Sequence, residues 1–263
     1  MIDVHHHCLP GVDDGPRTMA ESVELCRMAA DEGIDTIVAT PHVLRGRWQN
    51  TSRTELTQIL DDLRAAVGDR PRLVLGSEYF FGHDMDEMLR TESILPLAGG
   101  RYILVEFASH SVPPLVREPL YRVQLDGWVP IIAHPERNIV FQSKPEFLES
   151  LIRAGVKTQV TTGSVMGEFG PEAQTAAIDW LERGWVHVMA TDAHNVTKRQ
   201  PRFRAARERV AALTGEQIAQ ALFVDNPKSI VESRGLVYDP DLPESSGSKS
   251  DRLFNQIRKF FTK

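Results

Sequence analysis

The stretch WVPIIAHPER, residues 128–137, sets a strand-length apolar run against a histidine, His134, that closes it. A short run with no polar face suits a parallel strand covered on both sides. A helix through about residues 114–125 precedes it. PEFLESLIRAG (145–155) follows with helical spacing and leads to the next run, VKTQVTTGS (156–164). This is one turn of a β/α repeat.

The same unit recurs outward in both directions. TIVAT (36–40) ends at Pro41-His42, and the helix TELTQILDDLRAAVG (54–68) leads to RLVLG (72–76) and Glu78. RYILVEF (101–107) carries Glu106 near its end, and AAIDWLERG (176–184) leads to VHVMATDAHN (186–195), with Asp192 and His194. Near the start, Thr18 and Glu21 form a T-x-x-E capping box for a helix stopped at Gly33. Helical stretches from about 202 to 232 finish the globular part. The count is about seven repeats, so the fold class is α/β. With no G-x-G-x-x-G and no Walker lysine loop, a closed or distorted (β/α)7 barrel explains more than an open nucleotide-binding sheet. Such a barrel gathers its site at the C-terminal strand ends, where six of the seven strands deliver His, Asp or Glu.

The first strand belongs to MIDVHHHCLPGVDDG. If residues 2–7 are extended, Asp3, His5 and His7 share one face and His6 the other, so only two of three consecutive histidines serve one site. The resulting constellation is His5, His7, Asp14, His42, Glu78, Glu106, His134, Asp192 and His194. Without a cation its four carboxylates would repel one another and take up protons; metal ions remove the conflict. Imidazoles and carboxylates without thiolates suit manganese, iron, zinc or cobalt, and nine ligands are about right for two or three ions. Such a pocket is cationic and favours an anionic substrate. Asp3 could orient a ligand imidazole from behind, whereas His6, His83, His110 and His187 read as structural or surface residues.

Composition narrows the classes. The 263 residues carry a formal net charge of -6 and 41% hydrophobic residues, enough for a substantial core and unfavourable for a general nucleic-acid binder. There is no bilayer-length apolar run and no signal-peptide pattern, which sets the cytoplasm as the expected compartment. Of two cysteines, Cys8 is followed six positions later by Asp14 and Cys26 by Glu32, not by the arginine of a cysteine-phosphatase loop. Both read as small buried hydrophobes.

D-x-H-x-H at the start, ATPH, GSE, EF, AHPER and TDAHN together resemble the polymerase-and-histidinol-phosphatase (PHP) superfamily. HxHxLPGVDDG, AHPERN and TTGS are similar, more narrowly, to the bacterial manganese-dependent protein-tyrosine phosphatases encoded with capsule and exopolysaccharide genes. The resemblance covers about residues 1–236. It implies a distorted (β/α)7 barrel with a trinuclear, manganese-type centre held by the nine residues above, Asp14 being taken over Asp13. It also marks Arg137 and Arg199 as phosphate-binding residues, a task for which a planar, always charged guanidinium is suited. The implied substrate is a phosphotyrosine protein, a membrane-associated bacterial tyrosine kinase.

The expected reaction is phosphomonoester hydrolysis by metal-activated water. Arg45, Arg47 and Trp48 form a candidate specificity loop, and Tyr79, Phe80 and Phe81 are candidate ring contacts that also suit the core. Residues 237–263 read as a linker and a short basic amphipathic tail, with Leu253, Phe254, Ile257 and Phe261 opposed by Arg252, Arg258 and Lys259, a candidate peripheral membrane contact. Rival readings are a histidinol-phosphatase-like small-molecule phosphatase, an amidohydrolase-like metal hydrolase and a non-catalytic regulator on the same scaffold.

Overall fold

The computed structural model describes residues 1–240 and 242. Nine strands form two parallel sheets: β1 (Ile2–His6), β2 (Thr36–Ala39) and β4 (Arg72–Leu75) in one, and β3 (His42–Val43), β5 (Glu78–Phe80), β6 (Tyr102–Glu106), β7 (Val129–Ala133), β8 (Lys157–Thr161) and β9 (Val188–Ala190) in the other. Two of the seven expected strands are thus each broken in two. Pro41, which has no N–H, interrupts the first, and Gly76 the second. A Cβ on Gly76 would meet Val38 Cγ1 and Leu97 Cδ2 at 3.0 Å, so a larger residue there would have to displace both side chains. The ladder carries across both breaks, since the Gly76 amide donates to Ala39 O (2.9 Å) and the Glu78 amide to Pro41 O (3.0 Å).

The ring is completed by a parallel bridge from His6 to Ala193 just beyond β9. There the His7 amide donates to Ala193 O and the Asp192 amide to His5 O, each at 2.9 Å. The result is a distorted (β/α)7 barrel in which the last strand returns to the first.

Strand residues alternate between two apolar clusters. Val38, Val74, Leu104, Ile131, Val188 and Ala190 pack together, while Ile37, Leu73, Ile103, Val105, Ile132 and Met189 pack against the helices. This alternation gives each buried strand two apolar faces. The helix Met19–Asp31 starts at the Thr18/Glu21 capping box, which contributes about 1 kcal/mol, and ends before Gly33 at φ +85°. The stretch expected as helix over about 202–232 contains Arg204–Thr214, Glu216–Gln220 and Asn226–Val231, joined partly by a π turn. Among the described residues no helix is long and apolar enough to cross a membrane. The amphipathic tail expected over 252–261 lies outside the described residues.

Candidate metal centre

The strand ends bring all nine expected residues to one end of the barrel. His5 Nε2 lies 3.3 Å from Glu78 Oε1 and 3.2 Å from Asp192 Oδ1, and His7 Nε2 is 3.3 Å from Glu78 Oε2. His42 Nδ1 is 2.7 Å from Glu78 Oε2 and 3.6 Å from Glu106 Oε2, while His134 Nε2 is 2.9 Å from Glu78 Oε1. Asp14 Oδ1 sits 3.2 Å from both His42 Nε2 and His194 Nε2. Donor atoms gather within 4.8 Å in four overlapping groups: His7, Asp14, His42 and His194; His5, His134 and Asp192; His5, His7 and Glu78; and His42, Glu78 and Glu106. Glu78, His5, His7 and His42 each enter two groups, so the groups share these four side chains.

Two side chains aim these imidazoles: Gln159, which the sequence did not single out, and Asp13, set aside as a ligand in favour of Asp14. Gln159 Oε1 takes His5 Nδ1 at 2.8 Å, and Asp13 Oδ2 takes His7 Nδ1 at 2.7 Å, so both rings turn Nε2 toward the centre. Asp13 also accepts from the His42 and Gly15 amides at 3.1 and 2.9 Å, which separates its role from that of Asp14. The usable signal for Gln159 was a polar side chain in a strand buried on both faces.

Asp3 does something other than expected. It accepts hydrogen bonds from the Thr191 amide (3.1 Å) and the Thr191 hydroxyl, and so fixes the turn that carries Asp192 rather than an imidazole ring. The β1–β2 register is irregular between Asp3 and His6, which undoes the simple alternation that grouped Asp3 with His5 and His7. His6 is buried, joins none of the four groups, and contributes its amide to Thr40 Oγ1. His187 lies at the opposite end of the barrel, beside Asp239.

The donor set fits divalent metal ions. Glu78 Oε2, Glu106 Oε2, Asp192 Oδ1, His42 Nδ1 and His194 Nε2 are buried with ion-pair contacts but without well-aligned hydrogen bonds, which leaves their lone pairs directed to a cation. Burial would raise the Glu78 carboxyl, but His5 and His42 hold it well below the usual range; burial followed by Glu78 pushes Glu106 up to about 7. The expected proton uptake thus concentrates on one carboxylate. Burial and Arg137 lower His134 to about 3, and burial and His7 lower His194 to about 4, whereas burial is outweighed by Glu78 at His5 and His42 and by Asp13 at His7, and these three are raised. His134 (φ 33°) and Asp192 (φ 53°) occupy the left-handed region, at a cost on the order of 1 kcal/mol each.

Both expected arginines reach the centre. Arg137 Nη2 lies 2.6 Å from Asp192 Oδ2, and Arg199 Nη2 contacts the same oxygen. The Arg137 guanidinium stacks on Phe169 at 4.6 Å. Next to it, buried Glu136 accepts from Ser164 Oγ (2.6 Å) and the Thr161 amide (3.1 Å), tying AHPER to TTGS. The arginines, His42, His134, Asp14 and Glu106 line a cavity of about 190 Å³, whose remaining wall includes Phe107, Phe141, Pro135 and Ser109.

A parallel β/α barrel with imidazoles and carboxylates converging at its C-terminal strand ends is the architecture of a barrel metalloenzyme. Residues 1–232 match the capsular polysaccharide synthesis family CpsB/CapC, and the chain belongs to that family. It is 38% identical over 202 residues to the tyrosine-protein phosphatase YwqE of Bacillus subtilis (strain 168), covering 76% of this chain and 79% of that protein. It is 32% identical over 238 residues to the tyrosine-protein phosphatase CpsB of Streptococcus pneumoniae, covering 88% and 98%. A solved structure, from work on YwqE and CpsB as unique metal-dependent tyrosine phosphatases, superposes with a TM-score of 0.88 at 32% identity, over 93% of this chain and 100% of that one. The lactonase Lmo2620 of Listeria monocytogenes shares the fold alone, with a TM-score of 0.51 at 14% identity over 89% of this chain and 94% of that one.

Proposed function

We propose that this chain is a metal-dependent protein-tyrosine phosphatase in which His5, His7, Asp14, His42, Glu78, Glu106, His134, Asp192 and His194 hold two or three divalent ions, manganese first among them. The observation that carries the reading is the convergence of these nine side chains beside a cavity that Arg137 and Arg199 also line. The relatives' activity supplies the substrate class. Bound in such a site, divalent ions supply Lewis acidity and a water acidic enough to act as a nucleophile near neutral pH.

The remaining work falls to side chains of the chain itself. Gln159 and Asp13 hold His5 and His7 in the tautomer that leaves Nε2 free for a ligand bond. Arg137 and Arg199 present charged donors to the phosphate oxygens and offset the charge that develops there. Phe107, Phe141 and Pro135 give the cavity an apolar wall of the size and kind that meets an aryl ring. Among the cavity residues, every imidazole or carboxylate is a candidate ligand, so no separate general acid stands ready for the leaving oxygen. A phenolate, whose conjugate acid has a pKa of about 10, leaves without one far more readily than an alkoxide.

The capsule-synthesis family supports a membrane-associated bacterial tyrosine kinase as the phosphoprotein, with the encounter in the cytoplasm. Within this reading, residues 1–236 form the phosphatase barrel and 237–263 a linker and tail. The test is to strip metals, restore single divalent ions, and compare rates on a phosphotyrosyl peptide and on histidinol phosphate. Restored activity on the peptide, in excess over histidinol phosphate, is expected; metal-independent hydrolysis, or preference for histidinol phosphate, would sink the reading.

A further inference from the structure

The loop after β3 carries a third arginine into the cavity. Arg45 Nε lies 2.8 Å from Glu106 Oε2, and its Nη1 lies 2.9 Å from His42 Nε2. Both atoms face the candidate metal groups: Glu106 Oε2 is 3.6 Å from His42 Nδ1, and His42 Nε2 is 3.2 Å from Asp14 Oδ1. A guanidinium at this ion-pair distance and a divalent ion on the same atoms are cations that repel each other strongly. Arg45 and a metal ion are therefore alternatives at these atoms.

The loop fixes the base of Arg45 and leaves its head partly exposed. Arg45 and Trp48 exchange two backbone hydrogen bonds of 3.0 Å, and Asn50 Nδ2 donates to the carbonyls of Val12 (2.9 Å) and His42 (2.8 Å). Leu44, Gly46 and Asn50 take positive φ to make this turn. The Trp48 ring stacks on His42 at 5.5 Å and 22°, while the Arg45 side chain is 35% exposed and lines the same cavity as Arg137 and Arg199. A guanidinium displaced from Glu106 thus stays at the mouth, held there by its own backbone.

We propose that Arg45 is a positioning and specificity residue that competes with a metal ion for Glu106 and His42 and, once displaced, becomes the third guanidinium facing the phosphate. This couples filling of the metal site to completion of the anion site. It rests on the function proposed above.

The experiment titrates metal-stripped wild type, Arg45→Ala and Arg45→Lys with manganese by calorimetry, then titrates the manganese-loaded proteins with inorganic phosphate. Thermal unfolding verifies that each variant is folded. Arg45→Ala is expected to bind at least one manganese equivalent about tenfold tighter and phosphate about fivefold or more weaker, with Arg45→Lys between it and wild type. A residue that only supports the loop would weaken both. Manganese affinity that is unchanged or lower in Arg45→Ala, or phosphate affinity that is unchanged, overturns the proposal. A wild-type protein that binds no manganese and cleaves no aryl phosphate would instead refute the phosphatase reading, so the two failures are distinguishable.

Discussion

The two ends of the barrel treat buried polar groups in opposite ways. At the C-terminal end, buried carboxylate and imidazole atoms of Glu78, Glu106, Asp192, His42 and His194 make ion-pair contacts but no well-aligned hydrogen bonds. At the N-terminal end, Lys157 Nζ reaches both oxygens of Asp239 at 2.5 and 2.6 Å, and Tyr102 donates to Arg234 O at 2.5 Å. Asn226 donates to the carbonyls of His187 and Tyr238, each at 2.7 Å, and accepts from the Tyr238 amide at 2.9 Å. One end leaves several candidate ligand atoms without well-aligned hydrogen bonds; the other, His187 Nε2 and Ser229 Oγ apart, uses its polar groups to strap residues 233–239 across the barrel. Function and stability are thereby assigned to opposite ends of the same strands.

Substitutions can break this contrast, beginning with the largest effect. His5→Ala or His7→Ala should lower metal-dependent turnover by about 10³-fold or more, because a ligand and its charge balance are lost together. His6→Ser should retain most of it. Steady-state rates after manganese restoration decide, and a His6→Ser variant as inactive as its neighbours would mean that β1 presents different side chains to the centre.

Arg137→Ala should reduce kcat/KM on an aryl phosphate by about 10²–10³-fold while the metal content measured by elemental analysis stays that of wild type. Parallel loss of metal would make Arg137 a support for Asp192 rather than a phosphate ligand. Gln159→Leu should weaken metal binding about 10–100-fold, since His5 loses the partner that sets its tautomer. Unchanged calorimetric affinity would remove Gln159 from the centre.

At the other end, Asn226→Ala should lower stability by about 2–3 kcal/mol because it strands buried backbone groups. That corresponds to a fall in Tm of roughly 4–12 °C. Turnover at 25 °C should stay that of wild type; an equal loss of turnover would erase the contrast. Asp239→Asn should cost only about 1 kcal/mol, discounted for its exposure. Burial raises the Asp239 carboxyl, but hydrogen bonds from His187 and Lys157 outweigh it and depress it below its ordinary value of 3.8. A depressed acid stabilises the fold above the unfolded-state pKa and loses that contribution as pH falls through the folded value. The Tm gap between wild type and Asp239→Asn should therefore be constant from pH 7 to 5 and shrink below about 3.8; a gap that shrinks already at pH 6 would contradict the assignment.

Much of this was legible in the sequence, and for a physical reason. A parallel barrel strand is apolar along its length, so a His, Asp or Glu at its end stands out, and His42, Glu106, His134 and Asp192 were visible as such. The capping box at Thr18 was equally local. What escaped depends on neighbours distant in sequence. Gln159 meets His5 across 154 positions, and Asp3 turned from the imidazoles to Thr191 because of an irregularity in pairing that no alternation rule contains. The breaks at Pro41 and Gly76 carried their own signals, but only the register shows that His42 and Glu78 pair directly across β3 and β5.

The bridge between His6 and Ala193 has a consequence in time as well as in space. Asp3 and Thr191 meet across 188 positions, and the hydrogen bonds beside them fasten the first strand to the last. Contacts of such separation form late, after shorter loops have closed. A chain emerging from the ribosome at about 5–20 residues per second already displays His5, His7, Asp14, His42, Glu78, Glu106 and His134 before Asp192 and His194 exist. Until those two arrive, the early side chains cannot assemble the proposed centre, so hydrolytic competence is expected only with a finished barrel.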